Sequence, residues 1–209
     1  VGRLQRERGV MFVVPEDRRI NQDILVEPGG DAGARFGQVV VVEILAQPQR
    51  YAKPIGRILE VLGDYADPGM EIEIALRKHA LPYEFSAAAL RQAGKTPDKV
   101  RKKDCKGRVD LRELPLVTID GETARDFDDA VFARPSGKGW RLVVAIADVS
   151  HYVEPGDALD VDAFDRGNSV YFPRRVIPML PEALSNGICS LNPDVERLCM
   201  VCDMQIGPK

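Results

Sequence analysis

A chain of 209 residues with 44% hydrophobic and 29% charged side chains has the make-up of a globular protein with room for one or two packed cores. No run approaches the roughly 18–20 apolar residues of a membrane span, and the first ten residues have no signal-peptide pattern, so a membrane-bound or secreted role is not expected. The net charge of −3 conceals an asymmetry: residues 91–112 carry +6, and the residues from 113 onward carry −7. A basic belt directly before an acidic stretch fits a polyanionic substrate delivered to metal ions, against the plainer reading of a solvated linker helix. Cys105, Cys189, Cys199 and Cys202 are too few and too scattered for a disulfide framework. Reduced thiols in a cytoplasmic protein are expected, with no disulfide-linked partner. The chain begins with Val1 rather than Met, which suggests a piece of something longer.

Residues 1–63 read as short strands at 1–4, 10–14, 24–26, 38–45 and 55–62, broken by Pro- and Gly-containing turns. Five short strands in about sixty residues suggest a small barrel, for which the OB-fold is the economical choice. Residues 64–112 are expected to form a helical, basic linker. Pro68 opens a helix that Pro82 stops, and Ser86 caps a second helix over 87–93, ended by Gly94. From 113 the pattern is α+β. A hairpin turns at Pro135–Gly139, a helix runs from an Asp157 cap to Gly167, a short strand covers 169–173, and a final strand covers 197–206.

The chemistry is sought in residues 116–131, where Asp120, Asp126, Asp128 and Asp129 fall within ten positions. Carboxylates this close disfavour one another's ionisation, and a divalent cation is the usual relief. Hard oxygen ligands suit Mg²⁺ or Mn²⁺. A plain acidic turn is the competing reading, but the flanking apolar runs place these groups at strand ends, which are rigid mounts. Two other aspartate patterns fit poorly. A calcium loop starting at Asp126 would need Gly and Glu where Val131 and Gly137 stand. An aspartyl-nucleophile phosphatase would need a second Asp where Glu122 stands. His79 and His151 are isolated in sequence and are not candidate catalytic bases. Cys199-Met-Val-Cys202 lacks the second pair that a zinc site needs.

Five segments taken together resemble the ribonuclease II / ribonuclease R family: Ile119-Asp-Gly-Glu-Thr-Ala-Arg-Asp-Phe-Asp-Asp-Ala-Val131, Ala145-Ile-Ala-Asp-Val-Ser150, Ser169-Val-Tyr-Phe-Pro173, Ile177-Pro-Met-Leu-Pro-Glu182 and Cys189-Ser-Leu-Asn-Pro193. The resemblance runs over the whole chain. It implies a multi-domain, mixed β and α/β protein: a cold-shock-like OB barrel (1–63), the basic linker (64–112), and the N-terminal part of an α+β RNB-type catalytic domain (113–209). Members of this family are Mg²⁺-dependent 3′→5′ exoribonucleases that hydrolyse single-stranded RNA to nucleoside 5′-monophosphates. By resemblance, Asp120, Asp126, Asp128 and Asp129 match the catalytic, metal-binding aspartates, and Tyr171 matches a tyrosine that stacks on a base at the RNA 3′ end. Arg125 meets a phosphate or pairs with an aspartate, and Asp148 is read as structural. The family's later catalytic residues and its S1-type domain lie beyond this stretch, so the chain is expected to be a fragment with little processive activity. Two rival functions stay open: a non-catalytic RNA-binding module, and a phosphohydrolase acting on a small ester through the same carboxylates.

Overall fold

The computed structural model describes residues 1–207 and divides into two compact units, Val1–Tyr83 and Glu84–Lys209. In the first, β1 (Gly2–Glu7), β2 (Val10–Pro15), β3 (Ile24–Val26), β4 (Gln38–Ala46) and β5 (Ile55–Asp64) close into a barrel in the order β1-β2-β3-β5-β4. Alternation along the strands sends Leu4, Val13, Ile24, Val40 and Ile58 inward, where all are buried. The β1–β2 turn needs two residues in the left-handed region, and Arg8 (φ 49°) and Gly9 (φ 85°) supply them. Closure depends on a parallel pairing of β3 with β5, Leu25 opposite Ile55. Helix α1 (Met70–Lys78) buries Met70, Ile72 and Leu76. Arg77 ties it to β5 through Glu60 at 2.6 Å and lies over the Tyr83 ring at 4.3 Å. This is the cold-shock-like barrel expected for the first third.

The second unit is α+β. Strands β6 (Asp129–Ser136) and β7 (Gly139–Ala147) form the expected hairpin, and β10 (Cys199–Ile206) pairs with β7 on its other side. In the second half of β7 alternate residues (Val143, Ala145 and Ala147) are buried, while Trp140 and Ile146 on the opposite face are exposed. Gly139 is required where β10 crosses, since a Cβ there would lie 1.9 Å from the Ile206 carbonyl oxygen. Helix α2 (Ala87–Ala93) packs on α3 (Ala158–Arg166), so that Ala89 and Ala93 meet Leu159 in a core with Leu184 and Ile188. Both caps are as expected: Ser86 Oγ accepts from the Ala89 amide at 3.1 Å, and Asp157 Oδ1 from the Asp160 amide at 2.8 Å. A two-stranded hairpin, β8 (Val170–Phe172) with β9 (Arg175–Ile177), follows α3, and short helical segments lie at Lys102–Cys105, Val149–His151 and Ala183–Ile188.

The boundary between the units runs through the stretch read as a linker, 64–112. Helix α1 belongs with the barrel, and α2 belongs with the second core because its small, apolar face fits against α3. Pro208 and Lys209, the last residues of the expected third segment, lie outside the described residues.

Candidate active site

The aspartate segment is irregular backbone with a firm mount. Residues 118–128 belong to no strand, and β6 begins at Asp129. Val117 bridges Val131 on one side, and the Ala147 amide donates to the Asp128 carbonyl at 2.8 Å on the other. The decisive clamp is Ser190, which is 1% exposed. Its Oγ accepts from the Phe127 amide at 3.0 Å and donates to the Arg125 carbonyl at 2.8 Å, so one hydroxyl holds the backbone on both sides of Asp126. The Leu191 amide adds a bond to the Phe127 carbonyl at 2.8 Å. A strand pairing would have turned Asp128 and Asp129 to opposite faces. Here β6 begins at Asp129, and Asp128 is the residue just before it, its carbonyl bonded to the last residue of β7.

The four aspartates share an electrostatic field. Asp128 is pushed above the ordinary carboxylate range, first by the protein packed around it and then by Asp126, Asp129 and Asp120 in that order. The donor set is entirely carboxylate oxygen, the chemistry that a hard divalent cation takes. Among the described residues, however, no three His, Cys, Asp or Glu side chains converge tightly enough to form a ligand set as they stand.

Tyr171 reaches this cluster from the β8–β9 hairpin. Its hydroxyl donates to Asp126 Oδ2 at 2.6 Å, and the residue is 64% exposed. Arg125 is exposed, and among the described residues it forms no ion pair with an aspartate. Asp148 is buried and committed elsewhere, accepting from Arg108 at 2.7 Å and from Ser150 at 2.7 Å, as befits a structural role. The basic belt divides in the same way. Arg101, Arg108 and Arg112 pair with Asp104, Asp148 and Asp110, while Lys95, Lys99, Lys102, Lys103 and Lys106 present exposed side chains. Cys199 and Cys202 lie three apart in β10 and so project to opposite faces, which removes the Cys-x-x-Cys as a chelating pair. All four cysteines are free thiols.

Ser190 lies within the segment Cys189–Pro193, and nothing in that segment by itself gives the serine a role. The available signal was a small hydroxyl residue in an otherwise apolar stretch, 188–191, where a buried hydroxyl must find partners.

Known proteins share this arrangement of domains. Residues 12–86 match the cold shock domain model and residues 108–209 the RNB domain model. Ribonuclease R of Vibrio parahaemolyticus is 58% identical over 208 residues, covering 99% of this chain and 25% of that protein. Among solved structures, Mycoplasma genitalium RNase R in complex with double-stranded RNA superposes with a TM-score of 0.88 at 29% identity, covering 97% of this chain and 36% of that one. Yeast Ssd1, described as a pseudonuclease, shares the fold with a TM-score of 0.69 at 21% identity, covering 97% of this chain and 26% of that one. The chain thus spans about a quarter of the length of the curated relative it matches. With a cold shock domain followed by an RNB domain, and this identity along nearly its whole length, the chain belongs to the ribonuclease R family.

Proposed function

We propose that this chain supplies the cation-binding part of a 3′→5′ exoribonuclease site that hydrolyses single-stranded RNA to nucleoside 5′-monophosphates. The feature that carries the reading is the all-carboxylate donor set of Asp120, Asp126, Asp128 and Asp129, whose mutual repulsion helps to hold Asp128 above the ordinary carboxylate range. Asp120, Asp126, Asp128 and Asp129 would hold Mg²⁺, with Mn²⁺ as the alternative metal. The bound ion would activate water and neutralise the scissile phosphate. The protein's own contribution is to hold and to orient. Ser190 fixes the backbone of the aspartate segment, and Tyr171 offers a sequence-tolerant aromatic face to a terminal base. The exposed Arg125 guanidinium is suited to a backbone phosphate. The exposed lysines of the belt give a polyanion a path of attraction, and on the barrel Tyr51 and Phe36 stand out from the surface. We further propose a cytoplasmic location, and that residues 1–209 alone carry little or no processive activity. No helix among the described residues is long and apolar enough to cross a membrane.

A second reading, an RNA-binding module without catalysis, draws support from the absence of a closed ligand set among the described residues. RNA affinity measured with and without Mg²⁺ separates the two. The exonuclease site requires binding of a single-stranded RNA 3′ end to respond to Mg²⁺ and to Asp128→Asn. Affinity indifferent to both would leave the module. A small-ester phosphohydrolase would instead act on a nucleotide-sized substrate with no dependence on polymer length.

A further inference from the structure

We propose that Tyr171 is a positioning residue for the Asp126 carboxylate, so that one side chain couples the seating of an RNA end to the loading of the cation. This rests on the exonuclease reading above and deepens it. The phenol donates to Asp126 Oδ2 at 2.6 Å, from an element 45 residues away in sequence. A phenol has one hydrogen to give, so Oδ1 and a remaining lone pair of Oδ2 stay available to a cation. The residue is 64% exposed, so burial does not dictate where the hydroxyl points. The hairpin that carries it is fastened at its base. Val170 pairs with Ile177, which is 5% exposed, and Ser169 Oγ accepts from the Met179 amide at 3.0 Å. Asp126 is therefore held twice, at its backbone neighbours by Ser190 and at its carboxylate by Tyr171. A ligand oriented in advance gives up less freedom when a cation binds, and partners of this kind typically contribute 10–100-fold in metal affinity. Because the hydroxyl and the base-stacking face belong to one rigid ring, fixing either end fixes the other, and such coupling acts equally in both directions.

The test is Mn²⁺ binding to the 209-residue chain, read from the electron paramagnetic resonance of free Mn²⁺ without any turnover. The variants are Tyr171→Phe, Tyr171→Leu and Asp126→Asn. Tyr171→Phe keeps the ring and removes only an exposed hydroxyl, so it leaves the packed core untouched. The expected result is Mn²⁺ affinity about tenfold weaker in both tyrosine variants. In EDTA, Tyr171→Leu, which loses the ring as well, should bind a short fluorescent oligoribonucleotide more weakly than the wild type does. Wild-type Mn²⁺ affinity in Tyr171→Phe would overturn the positioning role while leaving the metal site standing. Undiminished affinity in Asp126→Asn would place the cation elsewhere and overturn it too. No Mn²⁺ binding by the wild type would overturn the metal reading and this inference with it.

Discussion

Asp128 is the residue on which the field of the cluster converges, and its protonation energetics carry a consequence for stability. Its folded-state pKa is raised, by burial and then by Asp126, Asp129 and Asp120, so near neutral pH its charge weakens the fold. In EDTA, Asp128→Asn is therefore expected to melt above the wild type. Added Mn²⁺ is expected to stabilise the wild type, by about 2.7 kcal/mol at a hundred times the dissociation constant, and to stabilise the variant far less. Differential scanning calorimetry in both conditions checks this, and an equal Mn²⁺ response in the two proteins would contradict it. Ser190 makes the complementary case. Ser190→Ala leaves the Phe127 amide and the Arg125 carbonyl without this partner in a part-buried setting, and should cost about 1 kcal/mol or more in urea unfolding. A loss well under 1 kcal/mol would mean the segment is held without it. The aspartates were legible in the sequence because they are contiguous. The Ser190 clamp was not, since its partners lie 63 and 65 residues away and only folding brings them together. Tyr171 was legible through family resemblance alone, and its bond to Asp126 was not legible at all.

Elements whose signals are local came through well. Ser86 and Asp157 are legible as caps and are caps, because a cap needs only its own next three residues. The hairpin turning at residues 135–139 follows from its turn residues in the same way. The barrel strands were visible as apolar runs, but the parallel β3–β5 pairing that closes the barrel joins residues 30 apart, which periodicity does not encode. In residues 64–112 the helices have local signals and their placement does not. Composition marks the stretch as basic and helical, yet which core each helix joins is decided by packing: Met70, Ile72 and Leu76 commit α1, and Ala89 and Ala93 commit α2. Removing the α2 cap with Ser86→Ala should cost about 1 kcal/mol and speed amide exchange over 87–93. Unchanged exchange there would show that packing on α3 alone sets the helix.

For the whole molecule the sign of charge matters more than its sum. Arg101 holds Asp104 down to about 2, by a direct hydrogen bond. Burial would raise Asp148, but Ser150 and Arg108 outweigh it and lower the group. Both folded-state values lie below the ordinary 3.8. The stability these carboxylates contribute is thus fully present above that value and is lost as pH falls through the folded-state values, toward about 2 for Asp104. Urea unfolding between pH 5 and pH 2.5 should show this slope, and Asp104→Asn should flatten it; equal slopes would contradict the assignment. The exposed lysines set a second expectation. RNA affinity should fall with salt, and replacing Lys95, Lys99, Lys102, Lys103 and Lys106 by Gln should reduce the logarithmic slope by roughly 0.7 for each phosphate no longer neutralised. A fold shared with a pseudonuclease does not certify catalysis, which must be read from the carboxylates themselves. The most direct measurement follows 5′-labelled single-stranded RNA, and DNA in parallel, with Mg²⁺, in a chain carried on to the length of its relatives and in its Asp128→Asn partner. Stepwise shortening of RNA from its 3′ end, absent with DNA and lost in the variant, is the expected result. RNA that is bound yet stays at full length would contradict it and leave the aspartates without a catalytic role.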